Sequence, residues 1–95
     1  MFDHPEARRY EIVTETRVAG FADYVPLRHR VVFTHTEIDP EFEGRGFGSR
    51  LVRAALDDVA GRGLTVTPVC PFVAEFIREH PDYAPLVDDG RRTHP

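Results

Sequence analysis

The stretch Glu37–Arg53, EIDPEFEGRGFGSRLVR, decides how the rest of the chain folds. It begins as the end of a β-rich run, turns at Asp39-Pro40, crosses glycines at 44, 46 and 48, and leaves as the start of a helical stripe. The first N–H groups of a helix have no internal partner and point outward, so a bare backbone at that place suits a phosphate-bearing ligand. Two common phosphate motifs are excluded. The dinucleotide fingerprint spaces its glycines GxGxxG, whereas the spacing here is GxGxG. A P-loop ends in Gly-Lys-Ser/Thr, and this chain has no lysine. The plain alternative is a tight strand-to-helix turn, for which about one residue without a Cβ is enough.

Upstream, the chain reads as strands. RYEIVTET (9–16) alternates, with Tyr10 and Ile12 opposite Glu11 and Val13. Val18-Ala19-Gly20 reads as a turn, alternation resumes over 21–25, and Pro26-Leu27-Arg28 turns again. HRVVFTHTEI (29–38) is the longest β-rich run. Strict alternation puts Val31, Phe33, His35 and Glu37 on one face and Val32, Thr34, Thr36 and Ile38 on the other. Short connections imply an antiparallel meander.

Downstream, Phe47, Leu51, Val52, Ala55, Leu56 and Val59 recur at spacings of three and four, the stripe of a helix packed on the sheet. Gly61 and Gly63 close it. Leu64–Thr67 is a fourth strand, parallel to the strand before the helix by the right-handed crossover rule. Pro71 fits the first turn of a second helix that carries Phe72, Val73, Phe76 and Ile77 and ends near His80-Pro81. Tyr83, Pro85, Leu86 and Val87 form a last irregular segment, and residues 88–95 a polar tail expected to fray. The expected class is α+β: a mixed, mostly antiparallel sheet with a crossover helix and a C-terminal helix. One domain spans 1–95, with its core over about 8–87.

Composition bounds the function. The chain has 95 residues, 41% hydrophobic and 29% charged, which is ordinary for a soluble globular domain. Its core is modest at this length. A net charge of −4 disfavours sequence-independent nucleic-acid binding, which needs a basic surface. A single cysteine, Cys70, excludes an internal disulfide or a multi-cysteine zinc site, and the five histidines lack ligand spacing. Neither a signal peptide nor a membrane-spanning run is evident, so a cytoplasmic protein with no membrane partner is expected, as a monomer or weak dimer.

Glu43-Gly44-Arg45-Gly46-Phe47-Gly48 resembles the acetyl-CoA motif Q/R-x-x-G-x-G/A of the GNAT N-acetyltransferases. Gly46 and Gly48 take the glycine positions, and Glu43 stands where the family has Gln or Arg. The order of His35-Thr36-Glu37, the glycine turn, Pro68-Val69-Cys70-Pro71-Phe72 and His80-Pro81-Asp82-Tyr83 is similar to small single-domain GNAT-like proteins of the YjdJ type. The resemblance implies a minimal α/β/α-layered fold. It also implies acetyl-CoA (coenzyme A) as cofactor, held by backbone amides of this turn, and acetyl transfer to an amine acceptor that is a small molecule or a protein. An acid so near a pyrophosphate implies weaker affinity. The early helices and later strands that shape the acceptor site in larger relatives have no counterpart here. A non-catalytic acyl-CoA-binding module is the alternative reading.

Transfer of acetyl to an amine needs a cofactor seat, a base for the ammonium proton, and donors for the developing oxyanion and thiolate. Cofactor-binding candidates are Glu43, Gly44, Arg45, Gly46, Phe47, Gly48, Ser49 and Arg50, with Arg53 one turn on for the 3′-phosphate. The catalytic candidates are Glu37, His35 and Cys70. Glu37 sits at the end of the strand feeding the turn and is a base or an ordinary solvated acid. His35 lies two residues earlier on its face and is a base or a half-buried sheet residue. Cys70 precedes a helix N-terminus, which favours thiolate and an acetyl-cysteine route. A small buried hydrophobe is its other reading. His80 at a helix C-terminus is explained by the helix dipole alone.

Overall fold

The computed structural model describes residues 1–88. Five strands run in the order β1 (Phe2–His4), β2 (Arg9–Val13), β3 (Val18–Pro26), β4 (Arg30–Ile38) and β5 (Thr65–Pro68). The first four are antiparallel to their neighbours, and β5 is parallel to β4. Helix α1 (Phe47–Gly61) makes the crossover between β4 and β5, and α2 (Pro71–Glu79) follows β5. The α+β class and the mixed, mostly antiparallel sheet thus follow the periodicity read from the residues. The expected 88–95 tail lies outside the described residues except for Asp88, whose N–H bonds the Val66 carbonyl at 2.8 Å. Thr67 donates its hydroxyl to the Asp88 carbonyl beside that bond.

Several local expectations change. Strand β1 was not expected, because three residues are too few to display alternation. Val18–Gly20 is the start of β3 and no turn. The reversal lies just before it, where the Thr14 N–H bonds the Arg17 carbonyl at 2.8 Å. Gly20 serves a close approach instead: a Cβ there would stand 2.4 Å from the Ile38 side chain. The final segment is a 3₁₀ turn, Pro81–Leu86, with Tyr83 bonded to Asp57 at 2.8 Å.

The largest difference lies within β4. Cross-strand pairing passes from Tyr24–Phe33 to Asp23–His35, leaving Thr34 as the extra residue of a β-bulge. One extra residue inverts side-chain parity for the rest of the strand. Val31 and Phe33 face the helices, but beyond the bulge Thr36 and Ile38 do so, while His35 and Glu37 turn to the opposite face. The expected common face of Val31, Phe33, His35 and Glu37 is therefore split.

Both helices pack on that one face. Tyr10, Ile12, Ala22, Tyr24, Val31 and Phe33 of the sheet join Leu51, Val52, Leu56 and Val59 of α1 and Val73, Phe76 and Ile77 of α2 in one apolar cluster. The sheet thus carries a single helical layer among the described residues, where α/β/α layering was expected. The physical reason is the other face. It presents Arg9, Glu11, Asp23, His35 and Glu37, which offer a helix little apolar area to bury. At the far end from the glycine turn, Tyr10 donates its hydroxyl to Asp58 at 2.6 Å and Tyr24 to Asp3 at 2.6 Å. Arg62 bridges both carboxylates at 2.9 Å, which ties the C-terminal end of α1 to the sheet.

Candidate functional site

The site forms where β4 and β5 part company. Their pairing ends at Phe33, and the Cys70 N–H makes the last cross-link, 2.8 Å to the Phe33 carbonyl. Beyond it the chain of β5 turns into α2, so Thr34–Ile38 leaves an edge of β4 without a β5 partner. After β4, Asp39 fixes the exit. Its carboxylate accepts from the Glu41 N–H at 2.9 Å and from Arg17 at 2.7 Å. The Glu41 N–H, then Arg17, hold the Asp39 carboxyl below its ordinary range.

The glycine turn then delivers the chain to α1. Gly44 and Gly46 both have φ of +78°, a left-handed conformation that costs an L side chain roughly 1–2 kcal/mol. Gly46 is the residue capping α1, and neither a side-chain cap nor an acid in the first turn competes for the leading amides. Arg45 lies 5.8 Å from the Phe42 ring and Arg50 lies 4.5 Å from the Phe47 ring, both flanking this end of the helix. Uncapped amides, two flanking guanidinium groups and glycines with open space beside them fit a pyrophosphate. Glu43 is exposed on the turn, as are Ser49 and Arg50.

A hollow of about 220 Å³ opens beside the amides, lined by Ile38, Phe42, Phe47 and Phe72 as well as by the turn itself. Of these apolar walls only Phe47 is among the cofactor-binding candidates read from the sequence. Phe72 was assigned to the buried stripe of α2, yet it is 42% exposed and its ring tip points at Gly48. A Cβ on Gly48 would stand 2.5 Å from that tip. Gly48 is buried, so it serves helix-to-helix contact, whereas Gly44 and Gly46 serve the turn. Ile38 was legible only with the bulge in hand.

The residues proposed for chemistry do not converge. His35 Nε2 and Glu37 Oε1 are 3.2 Å apart on the uncovered face, with side chains 57% and 64% exposed. Glu37 borders a second hollow of about 320 Å³ there, with Arg9, Phe21 and Asp39. Cys70 is 3% exposed on the helical face and donates its thiol to the Thr36 hydroxyl at 3.4 Å. The bulge therefore puts the sheet between Cys70 and the His35–Glu37 pair. His80 bonds the Phe76 carbonyl through Nδ1 at 2.8 Å and stacks on the Phe76 ring at 4.0 Å. Arg53 lies over Phe76 at 5.4 Å and reaches the Tyr83 hydroxyl at 3.5 Å.

Known proteins share this plan. The family profile for GCN5-related N-acetyl-transferase matches residues 9–86. Protein NATD1 of Bos taurus is 36% identical over 85 residues, covering 83% of this chain and 73% of that relative. The Homo sapiens protein of the same name is 34% identical over the same shares. The NMR structure of a GCN5-like protein from Staphylococcus aureus superposes with a TM-score of 0.66 at 17% identity, covering 92% of this chain and 90% of that one. With the profile spanning nearly all of the folded region, the chain belongs to the GCN5-related N-acetyltransferase family.

Proposed function

We propose that this protein binds acetyl-CoA at the glycine turn and transfers the acetyl group to an amine. The observation that carries the reading is the uncapped first turn of α1 opening on an apolar hollow beside the unpartnered edge of β4. In this reading the amides of Phe47, Gly48 and Ser49 hold the pyrophosphate, with Arg45 and Arg50 adding charge-assisted bonds. Ile38, Phe42, Phe47 and Phe72 cover the pantetheine arm, and main-chain groups of Thr34–Ile38 meet its amides. The cofactor supplies a thioester-activated acetyl group. Glu37, or His35 through their 3.2 Å contact, takes the ammonium proton on the uncovered face. Direct transfer is favoured over an acetyl-cysteine route by the burial of Cys70, whose thiol is already engaged by Thr36.

A second reading, CoA binding without transfer, draws support from the uncovered acceptor side of the sheet. The two separate in one pair of measurements. Calorimetry with CoA and acetyl-CoA is expected to give saturable binding. No heat at millimolar ligand would sink both readings. With binding in hand, thiol release from acetyl-CoA in the presence of a panel of amines tests transfer. Glu37→Gln is expected to lower kcat by roughly 100-fold or more, with CoA affinity unchanged. Intact-mass measurement after acetyl-CoA incubation is expected to show no acetyl group retained on Cys70.

A further inference from the structure

The uncovered face of the sheet carries two rows of side chains across β2, β3 and β4. Cross-strand pairing sets Glu11, Phe21 and Glu37 in one row and Arg9, Asp23 and His35 in the next. Directly opposed residues of antiparallel strands project to the same face, so these six form one surface. Arg9 is fixed on it twice. Its Nε donates to Asp23 at 3.0 Å, and its guanidinium carbon lies 3.9 Å from the centre of the Phe21 ring. Those contacts use Nε and one flat side of the group. Its two terminal amino groups have no hydrogen-bond partner among the described residues. Arg9 also borders the same hollow of about 320 Å³ as Glu37. A guanidinium tied through Nε and stacked on a ring keeps its remaining fork pre-organised, the arrangement that recognises a carboxylate.

We infer that this hollow seats the acceptor and that the acceptor is a small amino acid, with its amine at Glu37 and its carboxylate on the Arg9 fork. This rests on the acetyl-transfer reading above and names its substrate class. Three features carry it. The first is size: about 320 Å³ stands at the lower end of the roughly 300–1,000 Å³ of small-molecule pockets. The second is charge. The other carboxylates lining the hollow are already engaged, Glu11 by His4 at 3.0 Å and Asp39 by Arg17 at 2.7 Å. Glu37 keeps only His35 as partner, at 3.2 Å, and that pair is the one placed to take a proton. One guanidinium fork and one base match the two ends of a zwitterion. The third is position. Phe21 pairs with Glu37 across the sheet and bears the guanidinium on its ring, so fork and base are neighbours on the face. Val18 and Pro40 add apolar lining for a short methylene chain. In the transfer the amine nitrogen forms the new C–N bond as the thioester C–S bond breaks. Of the two protons the ammonium loses, one passes to Glu37 and on to water, and the other ends on the CoA thiol. The carboxylate stays on the fork unchanged.

The test measures thiol release from acetyl-CoA with glycine, β-alanine and 4-aminobutanoate, each against its own carboxamide, on wild type, Arg9→Gln and Arg9→Lys. The acid-to-amide ratio of kcat/KM in wild type, divided by that in a variant, cancels differences in amine basicity. For at least one chain length this quotient is expected to be roughly 10- to 100-fold for Arg9→Gln, carried by the KM of the acid. Arg9→Lys keeps a cation beside Asp23 and loses the fork, so a smaller quotient is expected. Calorimetry is expected to give CoA affinity within about twofold of wild type in both variants, which shows the fold and the cofactor seat intact. Equal losses for acids and amides would make Arg9 a support of the face and overturn the proposal. So would a quotient near one at every length, or a wild-type preference for 1,4-diaminobutane over all three acids. If CoA binds and no amine is acetylated, the transfer reading fails, and the seat is judged by NMR titration of the CoA complex at the Arg9 Nε–H. Saturable shifts with the acids and none with the amides would keep it. No shift with the acids would remove it.

Discussion

The glycines of the turn look alike in the sequence and differ in what holds them. At Gly46 the backbone is left-handed with open space beside it, so Gly46→Ala is expected to cost about 1–2 kcal/mol from conformation alone. At Gly48 the backbone is helical, and only the movable tip of Phe72 opposes a Cβ. Gly48→Ala is expected to stay within about 1 kcal/mol, because the gain in helix propensity offsets the ring shift. Urea unfolding of the two variants checks the contrast. Tyr10 gives a second residue-scale expectation. Burial, then the hydrogen bond to Asp58, raise its pKa well above the ordinary value near 10. A raised native pKa contributes stability fully below pH 10. Above pH 10 the unfolded chain loses the proton that the folded chain keeps, so stability falls by at most about 1.4 kcal/mol per pH unit. Tyr10→Phe is expected to be less stable at pH 7 by about 1–2 kcal/mol and to flatten the decline between pH 10 and 12 by that slope, as read by denaturant titration at each pH.

At the scale of elements, the bulge in β4 is the decisive device. Deleting Thr34 removes the extra residue and makes His35 the direct successor of Phe33, so strict alternation then keeps His35 and Glu37 on the uncovered face and Thr36 and Ile38 toward the helices. That deletion is expected to leave unfolding cooperative and the amide spectrum dispersed, and Thr34→Ala is expected to cost less than about 0.5 kcal/mol, both read by urea unfolding. The same device marks the limit of sequence reading. Helices, strand order and the parallel β5 were legible because their periods of 3.6 and 2 run over many residues. The glycine turn was legible because few other structures need that spacing. The bulge was not: HRVVFTHTEI alternates as cleanly with it as without it, and the extra residue shows only in the partner strand. Hence the glycine turn at the start of α1 was legible in the sequence, but the separation of Cys70 from His35 and Glu37 was not. Phe72 escaped for a related reason, since its spacing in α2 fits the apolar stripe while its ring reaches sideways to Gly48.

At the scale of the whole molecule, one modest core lies under one face of a sheet, and the proposed cofactor seat bridges the two helices that form its cover. A ligand gripping the first turn of α1 and Phe72 of α2 adds contacts between the two helices. Binding to the folded state alone raises stability by about 2.7 kcal/mol at a ligand concentration of 100 Kd. For a domain of this size that corresponds to a rise in Tm of roughly 10 °C or more, to be read by calorimetric scanning with and without CoA. A rise of a degree or less at that saturation would contradict binding to the native fold.

The contact of Asp88 with Val66 bears on how copies of the protein can meet. The outer side of β5 is occupied by the chain's own Val87 and Asp88, through a parallel bridge and a 2.8 Å hydrogen bond. Among the described residues the sheet leaves two stretches of margin open, the outer side of the three-residue β1 and the Thr34–Ile38 edge of β4. A polymer built strand to strand needs two complementary margins on each unit, one to give and one to receive. With the outer side of β5 stoppered, strand-to-strand contact through the described residues is left to the three-residue β1 and to the short Thr34–Ile38 stretch beside the glycine turn.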